Sequence, residues 1–163
     1  MADVSPEDFK GALGSWASGV TVVTTRLDDM VYGITVSSFS SLSMEPRLIL
    51  VSLQDSNHLP HMIKKSRHFG VSILAAGQED ISGFFSTSGR DPTEDFGEFQ
   101  TIVKETGSPL FAGSIGLIDC ELETALPGGD HTIVVGKVVA ATFDAEKLPL
   151  MYFRRAYRAL NMD

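Results

Sequence analysis

The sequence predicts a mainly β protein with short helices between its strands, closed or split as an antiparallel barrel. Three observations carry that prediction. Strand-sized runs rich in β-branched and apolar residues recur along the chain, at 20–25, 31–37, 48–53, 69–74, 115–124 and 131–144. Helical periodicity does not follow each strand in turn, so the regular βαβ alternation of a doubly wound sheet is absent. The 163 residues are about one domain's worth, enough to bury a core without a disulfide or metal. Residues 1–163 therefore read as a single domain with no repeat and no linker.

In chain order, Ser5-Pro6-Glu7-Asp8 is a helix start: a capping hydroxyl, a proline in the first turn and two acids near the positive end of the dipole. Phe9, Leu13 and Trp16 then share one apolar stripe, and Gly19 is the expected stop. Asp28-Asp29 supplies the turn between the first two strands. Leu59–Arg67 and Gln78–Phe85 read as short helices, the first with Met62 and Ile63 inward, the second with Ile81, Phe84 and Phe85. Ser86–Gly97, with Gly89, Pro92 and Gly97 among polar residues, reads as a surface loop suited to gating a ligand. The last two long strands are joined by the breaker-rich Ala125–Asp130. Leu150–Phe153 precedes a basic run, Arg154-Arg155-Ala156-Tyr157-Arg158.

Thirteen Lys and Arg against 21 Asp and Glu give a formal charge of −8, which argues against nonspecific nucleic-acid binding. No apolar run is long enough to span a bilayer as a helix. Met1–Lys10 has three acids before its first base and no apolar core segment, so it does not read as a signal peptide. The single Cys120 allows no intrachain disulfide and reads as a small core residue. A cytoplasmic protein is expected.

Neither Gly-x-Gly-x-x-Gly nor the P-loop pattern occurs, and there is no Gly-x-Ser-x-Gly elbow. His58 and His61 share a helix face as metal ligands do, but two histidines make an incomplete site and a polar helix start explains them. The conspicuous segment is Thr35–Ser43, five serines and one threonine in nine residues at the exit of an apolar strand. A Ser-rich surface loop accounts for it as well as a site does. As a site, its hydroxyls and exposed N–H groups would line a polar ring or a phosphate. A second polar cluster, Ser52–Asn57, leaves the neighbouring strand just before a helix N-terminus, where a phosphate would bind. Gly129-Asp130-His131 is ordinary hairpin chemistry, yet it fixes a histidine at a strand mouth.

Taken together, these stretches resemble the short-chain flavin reductase family, whose members supply reduced flavin to two-component monooxygenases. The resemblance runs in order through Ser18–Thr25, Tyr32–Ser43, Pro46–Leu53, Gly129–Gly136 and Pro149–Phe153. It implies a split β-barrel, a homodimer, and hydride transfer from NADH or NADPH to FMN or FAD. Thr35, Val36, Ser37 and Ser38 match the stretch along the isoalloxazine ring and ribityl chain, and Ser52, Leu53, Ser56 and Asn57 the wall around the phosphate. His131 matches the residue near the nicotinamide, where it would position the ring rather than transfer a proton. Tyr152 and Arg154 match the C-terminal strand over the flavin, and Phe85 joins the cofactor-binding set. No residue is expected to act as acid or base, and no metal is expected.

The lid departs from the family. Relatives carry Asp-Lys-Phe or Asp-Arg-Phe there, with the base close to the flavin phosphate. Here Asp95 precedes Phe96 and the nearest base is Arg90, so either Arg90 takes the phosphate or the loop is rearranged. Two alternatives keep the flavin site: a flavoprotein reducing another acceptor, and a flavin-binding electron carrier. An oxygenase component is the implied partner; Phe84, Phe85, Phe111 and Tyr152 are the apolar residues a dimer would shelter.

Overall fold

The computed structural model describes residues 3–160. Helix α1 (Pro6–Gly14) opens as its sequence dictates, with the Asp8 N–H donating to Ser5 Oγ at 3.0 Å and Pro6 in the first turn. It ends at Gly14, capped by Ser15, and not at Gly19, because Ser18–Gly19 is already extended as β1. No residue of α1 is buried: Phe9, Leu13 and the following Trp16 are 58%, 59% and 76% exposed. The apolar stripe exists, but among the described residues nothing covers it.

The main sheet uses β2 (Thr21–Leu27), β3 (Met30–Val36), β4 (Ser40–Ser43), β5 (Leu48–Gln54), β6 (His68–Ile73), β9 (Gly116–Gly128) and β10 (His131–Phe143). Their order is β3-β2-β6-β9-β10-β5-β4, antiparallel throughout. The two ends approach without sharing backbone hydrogen bonds. Tyr32 and Ile34 of β3 and Ile49, Val51 and Leu53 of β5 instead meet in one core with Phe69 and Val134. Helix α2 (His58–Ser66) closes that gap by inserting Leu59, Met62 and Ile63. The barrel is therefore split, its seam filled by side chains. The Ser-rich segment expected as a loop partly pairs as β4 on the edge of β5.

Strand β2 is buried on both faces from Thr21 to Thr25. Val23 faces the barrel core, whereas Val22 joins Leu74, Ile81, Phe85, Phe111 and Leu150 in a second core. Helix α3 (Glu79–Phe85) caps this second core, with Phe96 and Phe99 packed against it. Phe85 and Phe111 thus complete the chain's own interior and are not surface for a partner, while Phe84 and Tyr152 stay 46% and 39% exposed. Between α3 and β7 (Thr101–Ile102) the chain is irregular, as expected for a lid, but it is not loose. Val31 and Thr93 exchange hydrogen bonds of 2.6 and 3.0 Å, which covers the free edge of β3. Strand β7 pairs with β8 (Leu110–Phe111), a pair too short to leave a sequence signal.

Strands β9 and β10 run through most of the predicted turn. Pro127 and Gly128 still pair, and the loop is only Gly129-Asp130. Pro127 is tolerated because β9 has no second partner there, and Gly129 takes the left-handed conformation at φ 74°. At Gly136 the ring of Phe69 crosses so close that an added Cβ would sit 2.7 Å from Cε1 and 2.9 Å from the Cys120 Cβ. Cys120 is fully buried, and burial pushes its thiol up to about 12. The chain closes with β11 (Met151–Phe153) and β12 (Ala156–Arg158), which with β1 make a small separate sheet. Among the described residues no helix is long and apolar enough to cross a membrane.

Candidate functional site

The exits of β3 and β5 lie side by side across the seam, and Ser38 fastens them. Its Oγ donates to the Ser52 carbonyl at 2.7 Å and accepts from the Ser52 N–H at 3.2 Å. Thr35 Oγ1 donates to the Ser82 carbonyl at 2.8 Å, holding the same exit to α3. Thr21 Oγ1 donates to the Val36 carbonyl at 2.9 Å from the neighbouring strand. Three hydroxyls thus fix the path of 35–38 before any ligand is considered.

A cavity of about 360 Å³ opens against this wall, within the ~300–1,000 Å³ typical of small-molecule sites. Eight predicted residues line it: Thr35, Val36, Ser37, Ser38, Ser52, Asn57, Phe85 and His131. They come from four separate segments, brought together by the seam, the cap of α2 and the β9–β10 hairpin. A second cavity of about 230 Å³ shares Thr35, Val36, Ser37 and Ser86, and adds Tyr152 and Tyr157. Tyr157 donates its phenol O–H to Ser82 Oγ at 2.9 Å and meets Tyr152 edge-on at 5.7 Å between centroids. The two cavities form one polar recess with an aromatic end.

Four predicted residues lie elsewhere. Leu53 is fully buried in the barrel core, because side chains alternate along β5 and Ser52 takes the outward position. Ser56 is exposed in the turn before α2. Arg154 lines a different cleft, beside α1. Arg90 points inward beneath the lid: Nη2 donates to the carbonyls of Gly33 at 2.6 Å and Phe85 at 3.2 Å, and Nε to that of Thr87 at 3.3 Å. Its guanidinium carbon lies 5.4, 5.2 and 4.9 Å from the ring centroids of Tyr32, Phe84 and Phe85. The loop arrangement, with Arg90 directed at backbone carbonyls, separates this side chain from the hydroxyl-lined wall.

Gln54, Ser86, Thr87, Ser88 and Tyr157 also line the recess and were not among the predicted site residues. Gln54 sits inside the second polar cluster, and Ser86-Thr87-Ser88 repeats the hydroxyl signal at the lid's start, so both were readable. Tyr157 was not, because only its pairing opposite Tyr152 brings it in.

Among the described residues, the lining of the larger of these two cavities contains no carboxylate, lysine or arginine. Its one ionisable side chain is His131, with Nδ1 2.7 Å from Asp130 Oδ1. That hydrogen bond and the charge of His131 hold the Asp130 carboxyl below its usual range. A hydroxyl-rich recess suits a planar polar ring and offers no nucleophile–base pair. His58 stands edge-on to Tyr32 at 5.4 Å, with Nε2 3.5 Å from Asp91, and is not brought to His61 by any shared ligand geometry. Among the described residues no three His, Cys, Asp or Glu cluster as a metal site.

A family model described as "Flavin reductase like domain" matches residues 13–161. The chain is 40% identical over 154 residues to the reductase component of 4-hydroxyphenylacetate 3-monooxygenase from Thermus thermophilus, covering 94% of this chain and 96% of that protein. It is 34% identical over 163 residues to an NADH-dependent flavin reductase of a Rhodococcus species, covering 98% and 89%. Among solved structures, the NADH:FAD oxidoreductase of Streptomyces globisporus in complex with NAD and FAD fragments superposes with a TM-score of 0.90 at 29% identity, covering 100% and 99%.

Proposed function

The chain belongs to the flavin reductase-like family, and from that premise we propose that it is an NAD(P)H-dependent flavin reductase whose recess holds FMN or FAD. The observation that carries the site is the convergence of Thr35–Ser38, Ser52 and Asn57 on one hydroxyl-rich cavity with an aromatic end. A flavin fits that donor set: the small hydroxyls would serve its polar edge and ribityl chain, and Val36 and Phe85 would offer it apolar surface. A flavin held here would supply the hydride-accepting chemistry, so this chain would need no side-chain acid, base or nucleophile.

The chain's own work is positional. Thr35–Ser38 border the ring edge, with N–H groups able to favour negative charge there. Ser52, Asn57 and the first amides of α2 would receive the phosphate, with Ser56 outside the recess. Leu53 contributes only backbone. His131, held by Asp130, orients the nicotinamide carboxamide, and Tyr152 and Tyr157 wall the stacking space and exclude water. Holding the two rings in contact supplies most of the acceleration.

We assign a homodimer on the exposed Phe9, Leu13, Trp16 and Phe84, and an oxygenase component as the partner that receives reduced flavin. The buried, free Cys120 is compatible with a cytoplasmic location. Absorbance assays with FMN or FAD against NADH or NADPH test the activity: NADH oxidation should saturate with added flavin. Flavin bound without turnover would reduce the protein to a carrier. His131→Ala should slow flavin reduction in rapid mixing while leaving flavin affinity nearly intact. Collapse of flavin binding without slower hydride transfer would return His131 to a structural role. Light scattering should give about twice 17.6 kDa.

A further inference from the structure

The two walls of the recess stand on unequal footings. The Thr35–Ser38 wall continues β3, which pairs with β2 along its whole length and is fastened by the hydroxyls of Thr21, Thr35 and Ser38. The aromatic wall stands on the β11–β12 hairpin. Among the described residues β12 pairs only with β11, across three residues, and β11 meets β1 across two. The hairpin turns through Arg154 and Arg155, both left-handed at φ 48° and 60°. A Cβ is strained there, so the turn residues do not themselves favour this shape. The Arg154 N–H donates to the Gly14 carbonyl at 3.2 Å, which holds the tip. Among the described residues the hairpin makes one side-chain hydrogen bond, from the Tyr157 phenol to Ser82 Oγ at 2.9 Å.

Ser82 is a firm anchor. It is buried on α3 beside Ile81 and one turn before Phe85, both packed in the second core. Gln78 ties the start of that helix: its Oε1 accepts from the Ala75 N–H at 2.9 Å and its Nε2 donates to the Ala112 carbonyl at 3.0 Å. The Ser82 carbonyl accepts from Thr35 Oγ1 at 2.8 Å and from the Ser86 N–H at 3.1 Å, where the lid begins. One residue thus joins the hydroxyl wall through its carbonyl and the aromatic wall through its hydroxyl. Ser82, Thr35 and Tyr157 all line the cavity of about 230 Å³, so this link sets its width. Tyr157 is 38% exposed, and water can satisfy its O–H as well. The bond to Ser82 therefore selects a position more than it adds stability. We propose that Ser82 is a positioning residue for hydride transfer, acting through Tyr157 to hold the aromatic wall at one distance from Thr35–Ser38. The assignment rests on the reductase reading and adds the residue that sets ring contact.

Ser82→Ala and Tyr157→Phe each remove one half of the link and keep the aromatic ring. In rapid mixing each should slow flavin reduction by NADH about tenfold, the size of one hydrogen bond expressed at the transition state. FMN affinity and melting temperature should stay close to wild type, a split that a merely structural role would not give. The double variant should be no slower than either single one, because the two groups act as one link. In the chain without flavin, amide hydrogen exchange should quicken at Met151–Phe153 and Ala156–Arg158 in both variants and stay unchanged in β2. Losses that multiply in the double variant would make the two side chains independent and overturn the proposal. So would full-speed flavin reduction in Tyr157→Phe, or unaltered exchange in the hairpin. A wild-type chain that reduces no flavin, with the hairpin loosened in both variants, would overturn the reductase reading and leave the Ser82–Tyr157 link standing.

Discussion

The lid that carries Arg90 and the hairpin tip that carries Arg154 and Arg155 set the same side chain in opposite surroundings. Arg90 spends its donors on the carbonyls of Gly33, Phe85 and Thr87 and rests among three aromatic rings. Burial lowers its pKa, against which the neighbouring Tyr32 acts in the opposite sense, yet a guanidinium stays protonated at any ordinary pH. Among the described residues Arg155 has no such partners, and it occupies a backbone conformation that works against the fold. A guanidinium whose donors face inward acts as a staple; one held outward by strain is available to a ligand. A charge in a sequence does not reveal which.

The largest effect should come from Arg90→Ala. It leaves the three carbonyls without their charged donor and removes the cation from the rings, a loss of about 3 kcal/mol in urea unfolding. The start of the lid, Ser86–Ser88, should then drift from the recess and weaken FMN and riboflavin alike. If only FMN loses affinity, the guanidinium contacts the phosphate after all and the contrast with the hairpin disappears. Arg90→Lys sharpens the point. The charge survives but the planar fork cannot span the carbonyls, so roughly half of that loss should remain.

This pair also marks where the sequence was legible. The β-branched runs located the barrel strands, because alternation and burial are local properties that a strand carries in itself. Thr35–Ser38 and Ser52–Asn57 were legible as two polar exits, and their meeting across the seam followed from strand order. Arg90 was conspicuous as the only base near the lid's Asp95-Phe96, but its chief acceptor, Gly33, is remote in the chain. Leu53 fell inside a polar cluster while its side chain obeyed the strand's alternation. Helix α1 showed a sound apolar stripe, yet no pattern within one chain says whether such a stripe meets its own core. Composition reports what a segment can bury; partners remote in sequence decide what it does bury.

A smaller effect is expected at the hairpin. Arg154→Gly should raise stability by roughly 0.5–1 kcal/mol, read by thermal unfolding, because the left-handed turn no longer strains a Cβ. Arg154 also lies over Phe153, 5.1 Å from its ring centroid, so a fall in melting temperature would mean that this contact outweighs the strain. The hairpin would then resemble the lid, with its arginine retained for structure.

The smallest effect separates the fixed charges from a titrating one. His68 Nδ1 lies 2.8 Å from Ser108 Oγ, which lies 2.9 Å from Thr106 Oγ1; Thr106 Oγ1 donates its one proton to Asp119 Oδ1 at 2.5 Å. Burial lowers the pKa of His68 from 6.5, partly offset by the charge of Asp119. A folded-state pKa below the unfolded value means that the unfolded chain binds more protons in this window. Stability should therefore rise with pH from the lowered folded value up to about 6.5, and His68 should add no slope above it. Arg90 contributes nothing to that slope, since it stays protonated in both states. Melting temperatures between pH 5 and 7.5 should accordingly flatten in His68→Gln and keep their shape in Arg90→Lys, whose curve shifts down as a whole. An unaltered slope in His68→Gln would assign the dependence to another group, whereas a changed slope in Arg90→Lys would mean that the lid staple is coupled to a titrating partner.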